Sequence, residues 1–373
     1  EKPSVLVLGG LGFIGTHLVK LLVESDACSY IRVVDKRIPE MAHLTPDVLA
    51  YYDEGDEDEE KIPIVDYVQA ELKTARGIDK AFARDSPFTF IFNLAGETRP
   101  GQDFAIYQQT ITTIAINIAR KAKETGGKLI YVSDARVYPG APKAYKTGPA
   151  TETFPIDKAV TLIGRAHADA EKVIRGEKLP CIILRPAVVY GKGDVSGLTP
   201  RLICSMVYQQ LKEPMKFLWD GKIKMNCVHV IDVAAAMWHC ALNVPIGSTF
   251  NLVDRSDLDV GKLNAMLEGI FKIKTGFHGK IICAGASAAM GMATNTVNEK
   301  HIQPWADLCK ANKVSTFLSP YLDADMLGKS WLFASGDAII KTKFKYTHRM
   351  ISIPLLKEVL DDYVARKIIP PYK

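Results

Sequence analysis

The chain is predicted to be an α/β protein, a doubly wound parallel sheet with a smaller, irregular α/β unit toward its C-terminal end. Three observations predict it. Short apolar, β-branched runs alternate with helical stretches over the first 190 residues, as buried parallel strands joined by right-handed crossover helices do. The first run, Val5–Leu8, leads directly into the glycine-rich turn Gly9-Gly10-Leu11-Gly12-Phe13-Ile14-Gly15 and the amphipathic stretch Thr16–Leu22. The second, Ile31–Val34, ends in the acid Asp35.

The later strands are expected at Tyr67–Gln69, Phe90–Asn93, Lys128–Val132, Cys181–Leu184 and Thr249–Val253. Between the second and third, Asp53–Glu60 carries seven acids in eight positions, a self-repelling block expected to be a solvated loop. Regularity falls away after Gly191, where glycines and Pro200 precede a helix at Arg201–Leu211. One unit is therefore expected over 1–190, with 226–253 returning to it, and a second over 191–225 and 254–373. Trp219-Asp220-Gly221-Lys222 has the form of a hairpin turn, since Asp-Gly favours positive φ. Met290, Met292 and Trp305 are expected to fill core gaps. The spacing of Leu355, Leu356, Val359, Leu360, Tyr363 and Val364 predicts a last helix, closed by Pro370-Pro371.

With 47% hydrophobic and 24% charged residues, the composition is that of an ordinary globular protein. The net charge of +5 is dispersed, with no basic helix, which argues against nucleic acid as a partner. Seven scattered cysteines, none in a C-x-x-C pair, point to reduced thiols without a metal site. That places the chain in an intracellular reducing compartment, cytoplasm or mitochondrial matrix. No run reaches the ~18 apolar residues of a transmembrane span. The nearest, Ile281–Ala293, is expected to be a buried helix. The chain begins at Glu1 without Met, compatible with a cleaved transit peptide.

A glycine turn between strand and helix lets the backbone approach a pyrophosphate, which the helix N-terminus receives with free N–H groups and a positive dipole end. An acid about 20 residues on accepts from a ribose hydroxyl. Together these make a Rossmann dinucleotide site. Asp35 favours NAD(H) and repels the 2′-phosphate of NADP(H), a repulsion that Lys36 and Arg37 soften.

Further motifs extend the pattern: Asn93-Leu94-Ala95-Gly96, Tyr131-Val132-Ser133, Val137-Tyr138, Leu184-Arg185-Pro186, Val189-Tyr190-Gly191 and Val228-His229-Val230-Ile231-Asp232-Val233-Ala234. With the glycine turn and Asp35, they resemble the extended short-chain dehydrogenase/reductases of the epimerase/dehydratase branch over most of the chain. The resemblance implies cofactor contacts at Gly9, Gly12, Phe13, Ile14, Gly15, Asp35, Lys36, Leu94, Ala95, Gly96, Val132 and Pro186. It puts Glu71-Leu72 beside the adenine.

In that family a Tyr exchanges a proton with the substrate, a Lys four residues later lowers its pKa and holds the ribose, and a Ser or Thr orients the substrate oxygen. The matching stretch here is Ile163-Gly164-Arg165-Ala166-His167, so Ile163 replaces Tyr and His167 replaces Lys. Counting from Val137-Tyr138 puts Asp134 at the hydroxyl position, and Thr110 stands where an Asn is usual. Tyr-x-x-x-Lys recurs only at Tyr208…Lys212 and Tyr363…Lys367, both expected to be surface helix spacing. Tyr138 and Tyr145 are expected near the pocket mouth.

Asp134 is expected to pair with Arg136 or Arg165, or to cap a turn. The rival is a catalytic Asp134 with His167 relaying the proton. Arg185, Asp232 and His229 are expected to hold structure, Trp219 to border the substrate, and the Lys341, Lys343, Lys345, His348 and Arg349 group to lie on a solvated face. The expectation is an NAD-binding protein without the standard redox site, a scaffold or accessory subunit of a larger assembly. Degenerate members of the family serve in that way in respiratory complex I. The alternative is an oxidoreductase or epimerase acting on a nucleotide sugar or sterol through Asp134 and His167. A homodimer or a contact with another protein is expected across Tyr107–Ala122 and Leu162–Arg175, through Ile111, Ile114, Ile118, Val173 and Ile174.

Overall fold

Seven parallel strands form the central sheet, in the order β10-β6-β5-β4-β1-β2-β3. Eleven strands occur among the described residues: β1 (Ser4–Leu8), β2 (Tyr30–Asp35), β3 (Asp66–Gln69), β4 (Phe90–Asn93), β5 (Lys128–Val132), β6 (Cys181–Pro186), β7 (Val188–Tyr190), β8 (Met215–Phe217), β9 (Cys227–His229), β10 (Thr249–Leu252) and β11 (Thr275–Phe277). The computed structural model describes residues 2–53 and 64–372, so of the acidic run only Asp53 lies within the described residues.

Each strand of the sheet is one of the apolar runs expected from the sequence, and alternation along it feeds two cores. Val5 and Val7 face the helices Phe13–Glu24 and Val230–Asn243, where Leu18, Leu22, Val233 and Met237 meet them. Leu6 and Leu8 face the other way, toward Ile118, Ala122 and Ile174 on the helices Ile114–Thr125 and Leu162–Gly176. A third cluster joins the helices Thr199–Leu211, Val260–Phe271 and Ile353–Ala365 beyond the sheet.

The strand order reverses between β1 and β4, and at such a switch point the flanking loops part to leave a crevice beyond the C-terminal strand ends. Register levels those ends: Leu8 pairs with Val34 on one side and Asn93 on the other. Gly9, Asp35 and Leu94 therefore start at one height.

Several expectations change. The pair β8 and β11 is parallel, so Trp219–Lys222 closes no hairpin; Trp219 itself carries the positive φ, +73°. The stretch Ile281–Ala293 is two helices, Lys280–Ala288 and Met290–Ala311, broken at Ala289. Of the first only Cys283 and Ala286 are buried, while Ile281, Ile282 and Met292 are exposed and Trp305 is buried. Tyr208 and Tyr363 are not surface spacing: both are buried, and the Tyr363 hydroxyl donates to the Asp194 carbonyl at 2.6 Å. The expected outward contact face is spent inside the chain. Ile114, Ile118 and Ile174 are buried against the sheet and Ile111 against Tyr107 and Ile163, which leaves only Val173 half-buried, and a π-helical turn at Gln108–Thr113 interrupts the first of these helices. Tyr145 is buried among Phe154, Trp331 and Phe333 rather than at a pocket mouth.

The sheet and the helix Leu162–Gly176 are locked together by a buried ion pair. Glu171 accepts from Arg185 Nε at 2.9 Å and Nη2 at 2.5 Å, and from the Ser133 hydroxyl at 2.7 Å. Arg185 Nη1 donates to the Tyr138 hydroxyl, which in turn donates to Asn251. Asp232 accepts from the amides of Thr347 and His348. Glu171→Ala should cost about 3–5 kcal/mol by stranding the arginine charge, and a paired Glu171→Leu, Arg185→Met change should cost less. Chemical denaturation checks it; a double variant weaker than the single one would contradict the reading.

Candidate functional site

The chain turns at Gly9 with φ +78°, and its amide donates to the Val34 carbonyl at 2.7 Å. A Cβ there would lie 2.9 Å from the Ala95 amide nitrogen, so glycine alone lets β1 end against the loop after β4. Gly12 caps the helix Phe13–Glu24 without a side-chain acceptor, so its first amides face outward unoccupied by the chain's own groups. At Gly15 a Cβ would come 2.6 Å from the Gly9 carbonyl oxygen, so the glycine holds the helix tight on the turn.

Asp35, 8% exposed, points its carboxylate into the same crevice. Its Oδ1 accepts from the Arg37 amide at 3.1 Å and lies 3.7 Å from Arg37 Nε. Arg37 in turn donates to the Leu11 carbonyl. One carboxylate oxygen thus serves the turn while the other stays available to a ribose hydroxyl.

A single cavity of about 1310 Å³ collects the candidate residues. Gly9, Gly12, Phe13, Ile14, Gly15, Asp35, Lys36, Glu71, Leu72, Leu94, Ala95, Gly96, Val132 and Pro186 all line it, as do Asp134, Ile163 and His167. Sequence positions spread over 178 residues (9 to 186) come together because they sit at C-terminal strand ends, in the turns that follow, or at the starts of the helices Phe13–Glu24 and Leu162–Gly176. The shape and donors fit an extended dinucleotide: amides at the helix start for a pyrophosphate, and a carboxylate at the end of β2 for a ribose.

The helix Leu162–Gly176 starts at Thr161, whose hydroxyl oxygen accepts from the Gly164 amide at 3.1 Å. A Cβ at Gly164 would fall 2.1 Å from the Arg136 carbonyl oxygen, so this helix is pressed against the turn Ala135–Val137. Ile163 is 4% exposed and packs with Tyr107, Ile111 and Ala166. Four residues on, His167 Nδ1 and the Tyr131 hydroxyl share a hydrogen bond of 2.6 Å. Burial pulls the imidazole down to about 4, against the opposing pull of Asp134. It is neutral at pH 7.

Asp134 caps the Ala135–Val137 turn, accepting from the Arg136 amide at 2.6 Å. It also accepts from Arg136 Nε at 2.9 Å and Nη2 at 2.5 Å. Burial raises its pKa, but Arg136 outweighs burial and holds it below the usual carboxylate range. Arg165 goes elsewhere, over the Phe104 ring. Thr110 lines the cavity, its hydroxyl donating to the Ile106 carbonyl.

Sequence reasoning missed the far side of the cavity. Arg201, Asp323 and Asp325 line it beside Trp219, the one residue expected there. Arg201 donates to the Met326 carbonyl at 3.0 Å and Trp219 Nε1 to the Leu327 carbonyl at 2.8 Å, which ties the short helix Ala324–Leu327 over the cleft. Burial pushes both aspartates up, Asp325 further through its neighbour Asp323. The signal was weak: single charges in an irregular stretch, brought in by long-range packing.

A family model described as the NAD dependent epimerase/dehydratase family matches residues 5–252. No curated protein sequence matches. Among solved structures, the chain is similar to UDP-glucose 4-epimerase of Thermus thermophilus in complex with NAD, at 15% identity over 97% of this chain and 99% of that one, with a TM-score of 0.64. UDP-N-acetylglucosamine 4-epimerase of Methanobrevibacter ruminantium, bound to UDP-N-acetylmuramic acid, matches at 16% identity over 98% and 99%, TM-score 0.66. UDP-glucuronic acid 4-epimerase of Bacillus cereus, with NAD and a fluorinated UDP-sugar, matches at 17% over 97% and 99%, TM-score 0.64. At such identities the likeness establishes the fold alone.

The depressed His167 has a pH consequence. Unfolded, it titrates near 6.5, and folded near 4, so between these values the unfolded chain binds more protons. Its contribution is complete above pH 6.5 and is lost as pH falls toward 4. From pH 7 to pH 5 the protein should lose about 2 kcal/mol from this group, and His167→Asn should remove that part of the dependence. Denaturation at the two pH values tests it; an unchanged pH dependence in the variant would contradict it.

Proposed function

The chain belongs to the NAD dependent epimerase/dehydratase family, and on that premise we propose that it binds NAD(H) in this cleft without the family's Tyr–Lys proton relay. The carrying observation is the contrast inside one cavity. The dinucleotide cradle is complete, yet the position that should exchange a proton is the buried, apolar Ile163.

NAD, when bound, supplies a hydride acceptor. The chain's own residues hold it: the Gly12–Gly15 helix start receives the pyrophosphate, Asp35 takes the adenosine ribose, and Glu71-Leu72 borders the adenine. None of the three residues at the reaction end replaces the missing acid–base group. Ile163 carries no proton, His167 is neutral and spends Nδ1 on Tyr131, and Asp134 is clamped by Arg136. The dinucleotide acts on this reading as a retained ligand, stabilising the fold by mass action and reporting NAD state to a partner.

A second reading rests on a different observation. The cavity continues past Ile163 to Arg136, Arg201, Asp323 and Trp219, room that a purely structural dinucleotide does not need. On it the protein is an epimerase or oxidoreductase for a nucleotide sugar, with Asp134 as base and His167 as relay.

Two assays separate these. NAD at 100 times its Kd should stabilise the protein by about 2.7 kcal/mol, and Gly12→Val, which pushes a side chain into the pyrophosphate position, should abolish the shift. UDP-sugar turnover should be absent in the wild-type protein. Turnover that disappears in Asp134→Asn would establish the second reading; no thermal shift with NAD would contradict both.

A further inference from the structure

Away from the cleft, the helices Lys280–Ala288 and Met290–Ala311 carry an apolar face with no partner among the described residues. Ile281 is 89% exposed, Ile282 54% and Met292 73%, with Phe277 just before them at 38%. The opposite face is anchored: Cys283 is buried and its Sγ accepts from the Trp219 amide at 3.2 Å. The isoleucines are thus held outward rather than left loose.

Along the chain the charge flanking them is basic, with the acids Asp220, Glu213, Glu268 and Glu299 at the margin. From Glu268 to Glu299 no acid intervenes, while Lys272, Lys274, His278 and Lys280 do, and the three lysines are exposed. The strand register sets Lys216 of β8 beside Gly276 of β11, adding a fourth exposed lysine. Two of these acids are engaged: Glu268 accepts from the Thr275 amide and hydroxyl, and Glu213 pairs with Lys300.

We propose that this pair of helices docks the protein on an anionic bilayer surface, with Ile281 and Ile282 entering the headgroup layer and the surrounding lysines meeting the lipid charge. Apolar side chains ringed by lysine are the composition of an interfacial anchor. A second copy of the chain fits poorly, since a self-paired face would bring both lysine sets together. No described helix is long and apolar enough to cross a membrane, so the attachment is peripheral. The proposal stands independently of what the cleft binds.

Flotation with vesicles of phosphatidylcholine alone and with about 30% phosphatidylserine tests it on the full chain. Binding is expected only to the anionic vesicles, weakening about fivefold for each of Lys274→Gln and Lys280→Gln, as one charge at the surface predicts. The double change Ile281→Asp, Ile282→Asp should abolish binding. Acids in a first helical turn suit the helix dipole, so the variant should keep the wild-type melting temperature. Absence of binding to anionic vesicles, or binding unchanged in the double variant, would overturn the proposal. So would a wild-type dimer that this variant dissociates, which would assign the face to a second copy.

Discussion

The helix Leu162–Gly176 is pinned at two points, and what the cleft can do follows from that. At Gly164 the backbone touches the Arg136 carbonyl so closely that no side chain fits. Two turns on, Glu171 is buried against Arg185 and Ser133. Between two such fixed points the helix can neither slide nor rotate. Ile163 and His167 are thereby held facing the cavity. Their chemistry is a consequence of residue identity, not of a shifted helix.

The same economy governs the cofactor side. Parallel register brings the ends of β1, β2 and β4 to one level, and the reversal in strand order opens the crevice above them. Gly9 and Gly15 then let a helix start stand directly over that crevice. Electrostatics follow from position: a helix N-terminus and the nearby lysines offer positive potential to an anion, while Asp35 adds one negative point at the end of β2. On the opposite wall, Arg136 neutralises Asp134, and burial keeps His167 neutral. One half of the cleft presents amides and a carboxylate for charge recognition, while the other holds a clamped carboxylate and a neutral imidazole.

The central sheet and its crevice were legible in the sequence because both leave local marks. Buried parallel strands are short continuous apolar runs, and a glycine where a Cβ would strike the backbone, as at Gly9 and Gly15, has no substitute. That Ile163 and His167 would stand together in the crevice was legible once the helix start was placed, and both line it. What depended on long-range packing was not legible. Trp219 takes the positive φ in place of Asp220-Gly221 because its indole reaches the Leu327 carbonyl, a contact 108 residues away. The apolar stripe on the helices over 104–125 and 162–176 looked like an outward face, yet the neighbouring helix and the sheet bury it. The run Ile281–Ala293 looked like a core helix because hydropathy does not register which face of a helix finds a partner, and here Ile281, Ile282 and Met292 face outward.

The central proposal is that the dinucleotide is held and not consumed. Mass spectrometry of small molecules released from the protein on denaturation, after purification without added nucleotide, tests that directly. NAD(H) near one equivalent per chain, retained through dialysis, is the predicted result. Protein that releases no dinucleotide and gains none when incubated with NAD would contradict it.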